Sequence, residues 1–234
     1  MRMRFKSYAR PELAAWPYHV DDPAALRGRW HSAYADPNAP LRLELGCGKG
    51  GFIAALALRK SGCNFLGIDI KSEVLVVAKR NIEAAYAQAG RKPENVRITS
   101  KNIEQIADIL SPEDKIERLY INFCNPWHKS GHPKHRLTHP RQLVRYREFL
   151  CNDAEIHFKT DDDILYNATL RYLPLCGFDI LWQTRDLHHN EPAGNIRTEH
   201  ENMFAAEGIP IKACVAVKRP ANLDVAALLR LKDI

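Results

Sequence analysis

The chain has 234 residues, 45% of them hydrophobic, with a formal net charge of +6 and a pI near 9.0. That length suits one large domain with a real core, and the composition excludes wholesale disorder and a fibrous fold. No stretch approaches the ~20 apolar residues that cross a bilayer, and no long basic helix carries an aromatic face, so the positive charge points to nucleic acid and not to a membrane.

The start, Met1-Arg2-Met3-Arg4-Phe5-Lys6, is basic and has no apolar signal segment. Residues 1–40, with Pro11, Pro17, Pro23, Pro37 and Pro40, read as an irregular basic extension around one helix at about 23–34. A single domain is expected over 41–234. Leu41-Arg42-Leu43-Glu44-Leu45 reads as a first strand and residues 52–60 as a helix. Asn64-Phe65-Leu66-Gly67-Ile68-Asp69 reads as a second strand. Residues 72–89 have Val74, Leu75, Ala78, Ile82 and Ala85 at helical spacing, with Ser72 as N-cap and Gly90 just past the end. Further strands are expected at 96–99, 118–123, 155–159, 178–183 and 211–217. Strands alternating with helices predict an α/β fold with a doubly wound, mostly parallel sheet, whose ligands sit outside the carboxyl ends of the strands. The six cysteines are scattered without a CxxC pair, so neither a zinc site nor a disulfide framework is expected, and reduced thiols in a cytoplasmic setting fit the pattern.

Glu44-Leu45-Gly46-Cys47-Gly48-Lys49-Gly50-Gly51 follows the first strand and precedes a helix. Gly46, Gly48 and Gly51 satisfy G-x-G-x-x-G, which by itself serves either a dinucleotide or S-adenosylmethionine. Glu44 separates them. A carboxylate two residues before the first glycine opposes a pyrophosphate at the helix N-terminus but suits the ammonium and sulfonium of S-adenosylmethionine. Asp69 is placed to accept from ribose hydroxyls. Asn102 either bonds the adenine amine or caps the helix that follows it.

The most informative stretch is Asn122-Phe123-Cys124-Asn125-Pro126-Trp127-His128-Lys129. From Trp127 through Arg147 there are six Lys or Arg, four His and no Asp or Glu, an excess equal to the net charge of the whole chain. His128, His132, His135 and His139 invite a zinc reading, but Gly131 and Pro133 interrupt any helix that would put them on one face, so no metal is expected.

Three blocks carry a family resemblance. The first is Asn122-Phe123-Cys124-Asn125-Pro126-Trp127 with Lys129, Lys134, Arg136, Leu137 and Thr138. The second is His157-Phe158-Lys159-Thr160-Asp161, and the third Asp186-Leu187-His188 with Gly194-Asn195-Ile196-Arg197-Thr198-Glu199-His200-Glu201 through Phe204. In this order they resemble the bacterial tRNA (guanine-N7)-methyltransferases, and the Met1–Arg4 start is similar too. The resemblance implies a Rossmann-like class I methyltransferase with a seven-stranded sheet. The implied reaction takes a methyl group from S-adenosylmethionine to N7 of a variable-loop guanosine in tRNA and releases S-adenosylhomocysteine. It implies that Glu44, Gly46, Gly48, Gly50, Asp69, Asn102 and Asn125 hold the cofactor. Asn125 and Asp161 are the expected catalytic residues, with Asp161, Thr198, Glu199 and Glu201 on the guanine; by position alone Asp161 serves equally as the N-cap of a helix beginning near 162, and Thr198 with Glu201 has the spacing of a capping box. Lys129, His132, Lys134 and Arg136, with Arg2, Arg4 and Lys6, are expected along the RNA backbone, and Trp127 either stacks on the base or plugs the pocket. Monomer and homodimer are both compatible with the sequence.

The departures are specific. The family's Asp in D-P-W is Asn125, an Asp near position 102 is Asn102, and two basic positions after the Trp are Ser130 and Gly131. His135 replaces a third basic residue and His200 a tyrosine. N7 of guanine has a lone pair and no proton, so its attack needs alignment and no general base. Asn125 is therefore compatible with catalysis. The alternatives are a noncatalytic tRNA-binding homologue, a methyltransferase for another RNA or small substrate, and a nucleotide-dependent oxidoreductase, which Glu44 disfavours.

Overall fold

The computed structural model describes residues 5–129, 131–189 and 191–231, so Arg2, Arg4 and Ser130 lie outside the described residues. One compact unit runs up to Asp114 and a second begins at Lys115.

The first unit opens with a short helix, α1 (Ala9–Ala14), that its apolar pattern did not announce. The helix expected at about 23–34 is instead two 3-10 turns, Pro23–Leu26 and Trp30–Ala33. Gly28 separates them at φ +76°, a left-handed conformation that no helix includes. Strands β1 (Leu41–Leu45), β2 (Asn64–Asp69) and β3 (Val96–Ser100) pair in parallel and are connected by α2 (Gly51–Arg59) and α3 (Ser72–Gln88). Leu41, Leu43, Leu45, Leu66, Ile68 and Ile98 are fully buried, as expected of strands covered on both faces. The segment from Tyr18 to Tyr34 is fastened into this unit. Val20 N donates to Ile98 O (3.0 Å), Ile98 N to Tyr18 O (3.1 Å), and the Tyr34 hydroxyl to Phe65 O (2.9 Å).

Asp114 is the polar anchor of that attachment. It is fully buried, and its carboxylate accepts from Gly28 N (2.9 Å), Trp30 N (3.0 Å) and Ser111 N (2.9 Å). Trp30, also fully buried, donates its indole N–H to Ile109 O at 2.7 Å. One carboxylate thus satisfies the amides on both sides of the Gly28 break, which lets the chain cross the interior without unpaired donors.

The second unit contains β4 (Ile116–Asn122), α4 (Pro140–Phe149), β5 (Leu150–Thr160), α5 (Asp163–Leu175), β6 (Phe178–Thr184), α6 (Glu199–Ala206), β7 (Lys212–Lys218) and α7 (Val225–Leu229). β4 and β5 are parallel, and β7 runs antiparallel to both β5 and β6. In hydrogen-bonded order the seven strands run β3-β2-β1-β4-β5-β7-β6, a mixed sheet in which the antiparallel pairings are those of β7.

Glu201 anchors this unit as Asp114 anchors the first. Its side chain is fully buried, with Lys159 Nζ 2.8 Å from Oε2 and Asn195 Nδ2 (2.8 Å) and His188 Nε2 (3.0 Å) on Oε1. It also closes a capping box. Glu201 N donates to Thr198 Oγ1 (3.0 Å) and Thr198 N to Glu201 Oε2 (3.3 Å), which starts α6. Burial on its own would raise the Glu201 carboxyl. The Lys159 ammonium and the hydrogen bonds from Lys159, Asn195 and His188 outweigh that and hold it below the ordinary range.

Asp114→Ala leaves three backbone donors without their acceptor and is expected to lower stability by about 3 kcal/mol, read from the urea midpoint. Because the Glu201 carboxyl is lowered in the folded state, its stabilisation is complete above the ordinary glutamate range. It fades as the pH falls through the lowered value. Glu201→Gln should cost ~3–5 kcal/mol at neutral pH and flatten the acid limb of a stability–pH curve; an unchanged acid limb would show that the network does not act through that charge.

Candidate functional site

The carboxyl ends of β1 and β2 carry the glycine turn. Gly46, Gly48 and Gly50 have φ of +74°, +53° and +74°, so each position favours glycine's backbone freedom. Gly46 N (2.8 Å) and Cys47 N (3.1 Å) donate to Ile68 O, which ties the turn to β2. Gly50 has a second reason to be glycine, since a Cβ there would lie 2.8 Å from that of Ala78 on α3. Gly46 faces open space, so ligand atoms can approach its backbone. Asp69 receives Gly48 N on Oδ2 and Lys71 N on Oδ1, both at 3.1 Å, and burial raises its carboxyl against those hydrogen bonds. A carboxylate has about four lone-pair sites, so capacity remains for ribose hydroxyls.

Glu44, 4% exposed, places a second carboxylate at the same turn. The charges reveal themselves at Cys47, whose thiol is pushed well up by burial and then by Asp69 and Glu44. Local negative potential beside an open glycine backbone fits a sulfonium and an ammonium, and opposes a pyrophosphate. The donor set therefore fits S-adenosylmethionine. Asn102 is exposed, and its Oδ1 accepts from Glu104 N (3.0 Å) as the N-cap of a 3-10 turn, so its amide nitrogen is the group it offers a ligand.

In the second unit, the segment after β4 turns sharply with full side chains in place. Phe123 and Trp127 have φ of +51° and +49°. Asn125 is exposed, and its Oδ1 accepts from Trp127 N at 3.0 Å, a side-chain turn that fixes the amide orientation and leaves Nδ2 as the outward group. His128 Nε2 lies 2.9 Å from Asp162 Oδ2, and Asp162 Oδ1 caps α5 by accepting from Leu165 N (2.6 Å). The cap is thus Asp162, and Asp161 is left for other work. Its half-buried carboxylate lies near the corner, where it adds to the burial that pushes the Cys124 thiol up to about 12.

Lys129, His132 and Lys134 are exposed, as a phosphate-tracking surface requires. Arg136 corrects the expectation. It is 4% exposed and gives its Nε to Pro126 O at 2.8 Å, so it belongs to the interior of the corner and not to a solvent-facing surface. Glu201 is a second correction. Its oxygens are taken by Lys159, Asn195, His188 and the Thr198 amide, and full burial removes it from direct contact with a base. Thr198, 7% exposed, is its capping partner, while Glu199 at the first position of α6 is exposed. Trp127 is half-buried beneath the His132 (5.7 Å) and His135 (5.3 Å) rings. Lys159, Asn195 and His188 stood in the quoted blocks without roles, and the capping-box spacing of Thr198 and Glu201 was the one signal that led toward them. Asp162 was missed among three consecutive aspartates, though it is the one three residues before the buried Leu165.

Comparison with known proteins follows the same lines. Residues 38–214 match the family described as "Putative methyltransferase". The tRNA (guanine-N(7)-)-methyltransferase of Clostridium perfringens strain SM101 is 50% identical over 218 residues, covering 93% of this chain and 100% of that one. That of Ruminiclostridium cellulolyticum is 50% identical over 235 residues, covering 100% of this chain and 99% of that one. Among solved structures, the aminoglycoside resistance methyltransferase NpmB1 has a TM-score of 0.53 at 15% identity, covering 85% of this chain and 94% of that one. A methyltransferase from Pyrococcus furiosus has a TM-score of 0.53 at 14% identity, covering 78% and 76%. These two show the fold, the doubly wound Rossmann-like one of class I methyltransferases. The near-full-length identities show the family: this chain belongs to the bacterial tRNA (guanine-N(7)-)-methyltransferases.

Proposed function

We propose that the protein methylates N7 of a guanosine in tRNA, the variable-loop guanosine that the resemblance implies, with S-adenosylmethionine as donor and in the cytoplasm. The observation that carries this reading is half-identity across essentially the whole chain to enzymes named for that reaction. S-adenosylmethionine supplies an electrophilic methyl carbon and leaves as S-adenosylhomocysteine. The N7 lone pair forms the new bond, the carbon–sulfur pair stays on sulfur, and no proton moves. The residues therefore have to bind and align.

Glu44 and Asp69, with the open backbone at Gly46, Gly48 and Gly50, hold the cofactor in this reading, and Asn102 contributes its amide. Asn125 presents a neutral Nδ2 donor, and Asp161 a carboxylate that accepts from the guanine amino or imino group. Lys129, His132 and Lys134, with Lys6, hold phosphates. Thr198 and Glu199 border the base, whereas Glu201 acts from beneath through the start of α6.

Incubation with labelled S-adenosylmethionine and unmodified tRNA transcript is expected to place label at N7 of one variable-loop guanosine; label on another base or in another loop refutes the assignment. Asn125→Ala removes both the turn and the outward amide, and should lower kcat on the order of 10²-fold through misalignment while tRNA still binds. In a salt titration of tRNA affinity, Lys129→Ala and Lys134→Ala should each reduce the slope of log K against log salt by about 0.7–0.9. An unchanged slope would remove those lysines from the RNA path.

A further inference from the structure

Arg136 lies in the strongest cationic segment of the chain but does not behave as a surface charge. Arg136 is 4% exposed, while Lys134 two residues earlier is exposed. Its Nε donates to Pro126 O at 2.8 Å. The same peptide unit is held at its other end, because Trp127 N donates to Asn125 Oδ1 at 3.0 Å. Both polar atoms of the Pro126–Trp127 peptide are thus fixed. Proline has no N–H, so the carbonyl is the one backbone hydrogen-bonding group Pro126 can offer. The next torsion is the φ of Trp127, at +49°, a conformation that a bulky residue leaves unless its surroundings hold it.

Arg136 reaches the corner from a fixed base. Its own N–H donates to Pro133 O (2.9 Å) and its carbonyl accepts from His139 N (3.0 Å), at the entrance to α4. The same segment folds the His132 and His135 rings over Trp127. We propose that Arg136 is a positioning residue. It holds the Asn125-Pro126-Trp127 corner in the shape that aligns Asn125 with its ligand, through the Nε hydrogen bond and not through its charge toward RNA. This rests on the reading of Asn125 as a ligand-facing group.

Two substitutions separate donor from charge. In Arg136→Gln the amide nitrogen falls where Nε was, so the donor survives and the charge is lost. In Arg136→Lys the charge survives, but the nitrogen lies one bond further out and the fork geometry is gone. Both full-length variants are assayed for kcat and KM with tRNA transcript, and for tRNA affinity across a salt series. Arg136→Gln is expected to keep kcat within about threefold, while Arg136→Lys loses about tenfold or more in kcat with little change in KM. Neither should change the salt slope by as much as the ~0.7–0.9 of one lost phosphate contact.

The proposal is overturned if Arg136→Lys retains kcat, if both variants lose it alike, or if Arg136→Gln lowers the salt slope by about that amount. Failure of Arg136→Gln to fold overturns it too, since more than the Nε donor would then be needed; should Arg136→Lys fail to fold, the Gln variant decides alone. The unsubstituted enzyme is the control for the underlying reading, since absence of N7 label there would refute the activity whatever Arg136 does. Asn125→Ala with unchanged kcat would refute the role of Asn125.

Discussion

Left-handed backbone at two large residues is the constraint around which the second unit is arranged. Each such conformation costs ~1–2 kcal/mol for an L-residue, so Phe123 and Trp127 hold it because neighbouring groups leave no alternative. Trp127 is held by the fixed peptide before it and the histidine rings upon it. Phe123 is held by stacking, with the His200 ring at 5.8 Å and the Phe204 ring at 5.9 Å, both on α6. Its N–H donates to Lys159 O at 2.9 Å, and the Lys159 ammonium in turn carries Glu201, which starts α6. Corner, strand and helix therefore depend on one another. That circuit explains why His200 can stand where the family motif has tyrosine: a planar ring over Phe123 is what the position requires.

The first unit meets the same topological need, a sharp turn at a strand end, by the opposite means. Gly46, Gly48 and Gly50 adopt positive φ without steric cost, and the turn is held by amides on Ile68 O and on Asp69. The difference follows from what each turn has to present. A glycine turn exposes bare backbone beside buried carboxylates, which suits a compact cationic ligand. A corner built from Asn, Pro and Trp presents side-chain functional groups at defined angles, which suits a planar base. Glycine there would make the turn cheaper but would remove the groups that recognise anything.

The strands and the long helix α3 were legible because short apolar runs and 3.6-residue spacing survive in any setting; β1 and β2 fall on the expected residues. The glycine turn was legible because glycine is the residue that adopts positive φ without steric cost, and three such positions fall within five residues. What was not legible is which charges are buried. Arg136 and Lys134 look equivalent in a basic run, and only the carbonyl of Pro126, ten residues earlier in sequence, distinguishes them. Glu201 looked like a substrate contact because its partner Lys159 lies 42 residues away on β5. The Gly28 break escaped notice for the same reason, since its stabilising acceptor, Asp114, is 86 residues distant. Local pattern reports backbone preference, and long-range polar pairing leaves no local trace.

Asn125 places a chemical demand on the rest of the second unit. In the proposed reaction the purine acquires positive charge as N7 takes the methyl group. A carboxylate at the corner would oppose that charge, and at ~4 Å with an effective dielectric near 20 the attraction is worth about 4 kcal/mol before solvation is counted. An amide whose oxygen is already accepting from Trp127 N cannot supply it. Asp161 can. Its side chain is spared the capping of α5, which Asp162 performs, and its field is already felt in the corner at Cys124. In the proposed reaction the division of labour is then physical: Asn125 and Arg136 would set geometry, and Asp161 would provide the negative charge, one strand away from the residue that carries it in the family motif.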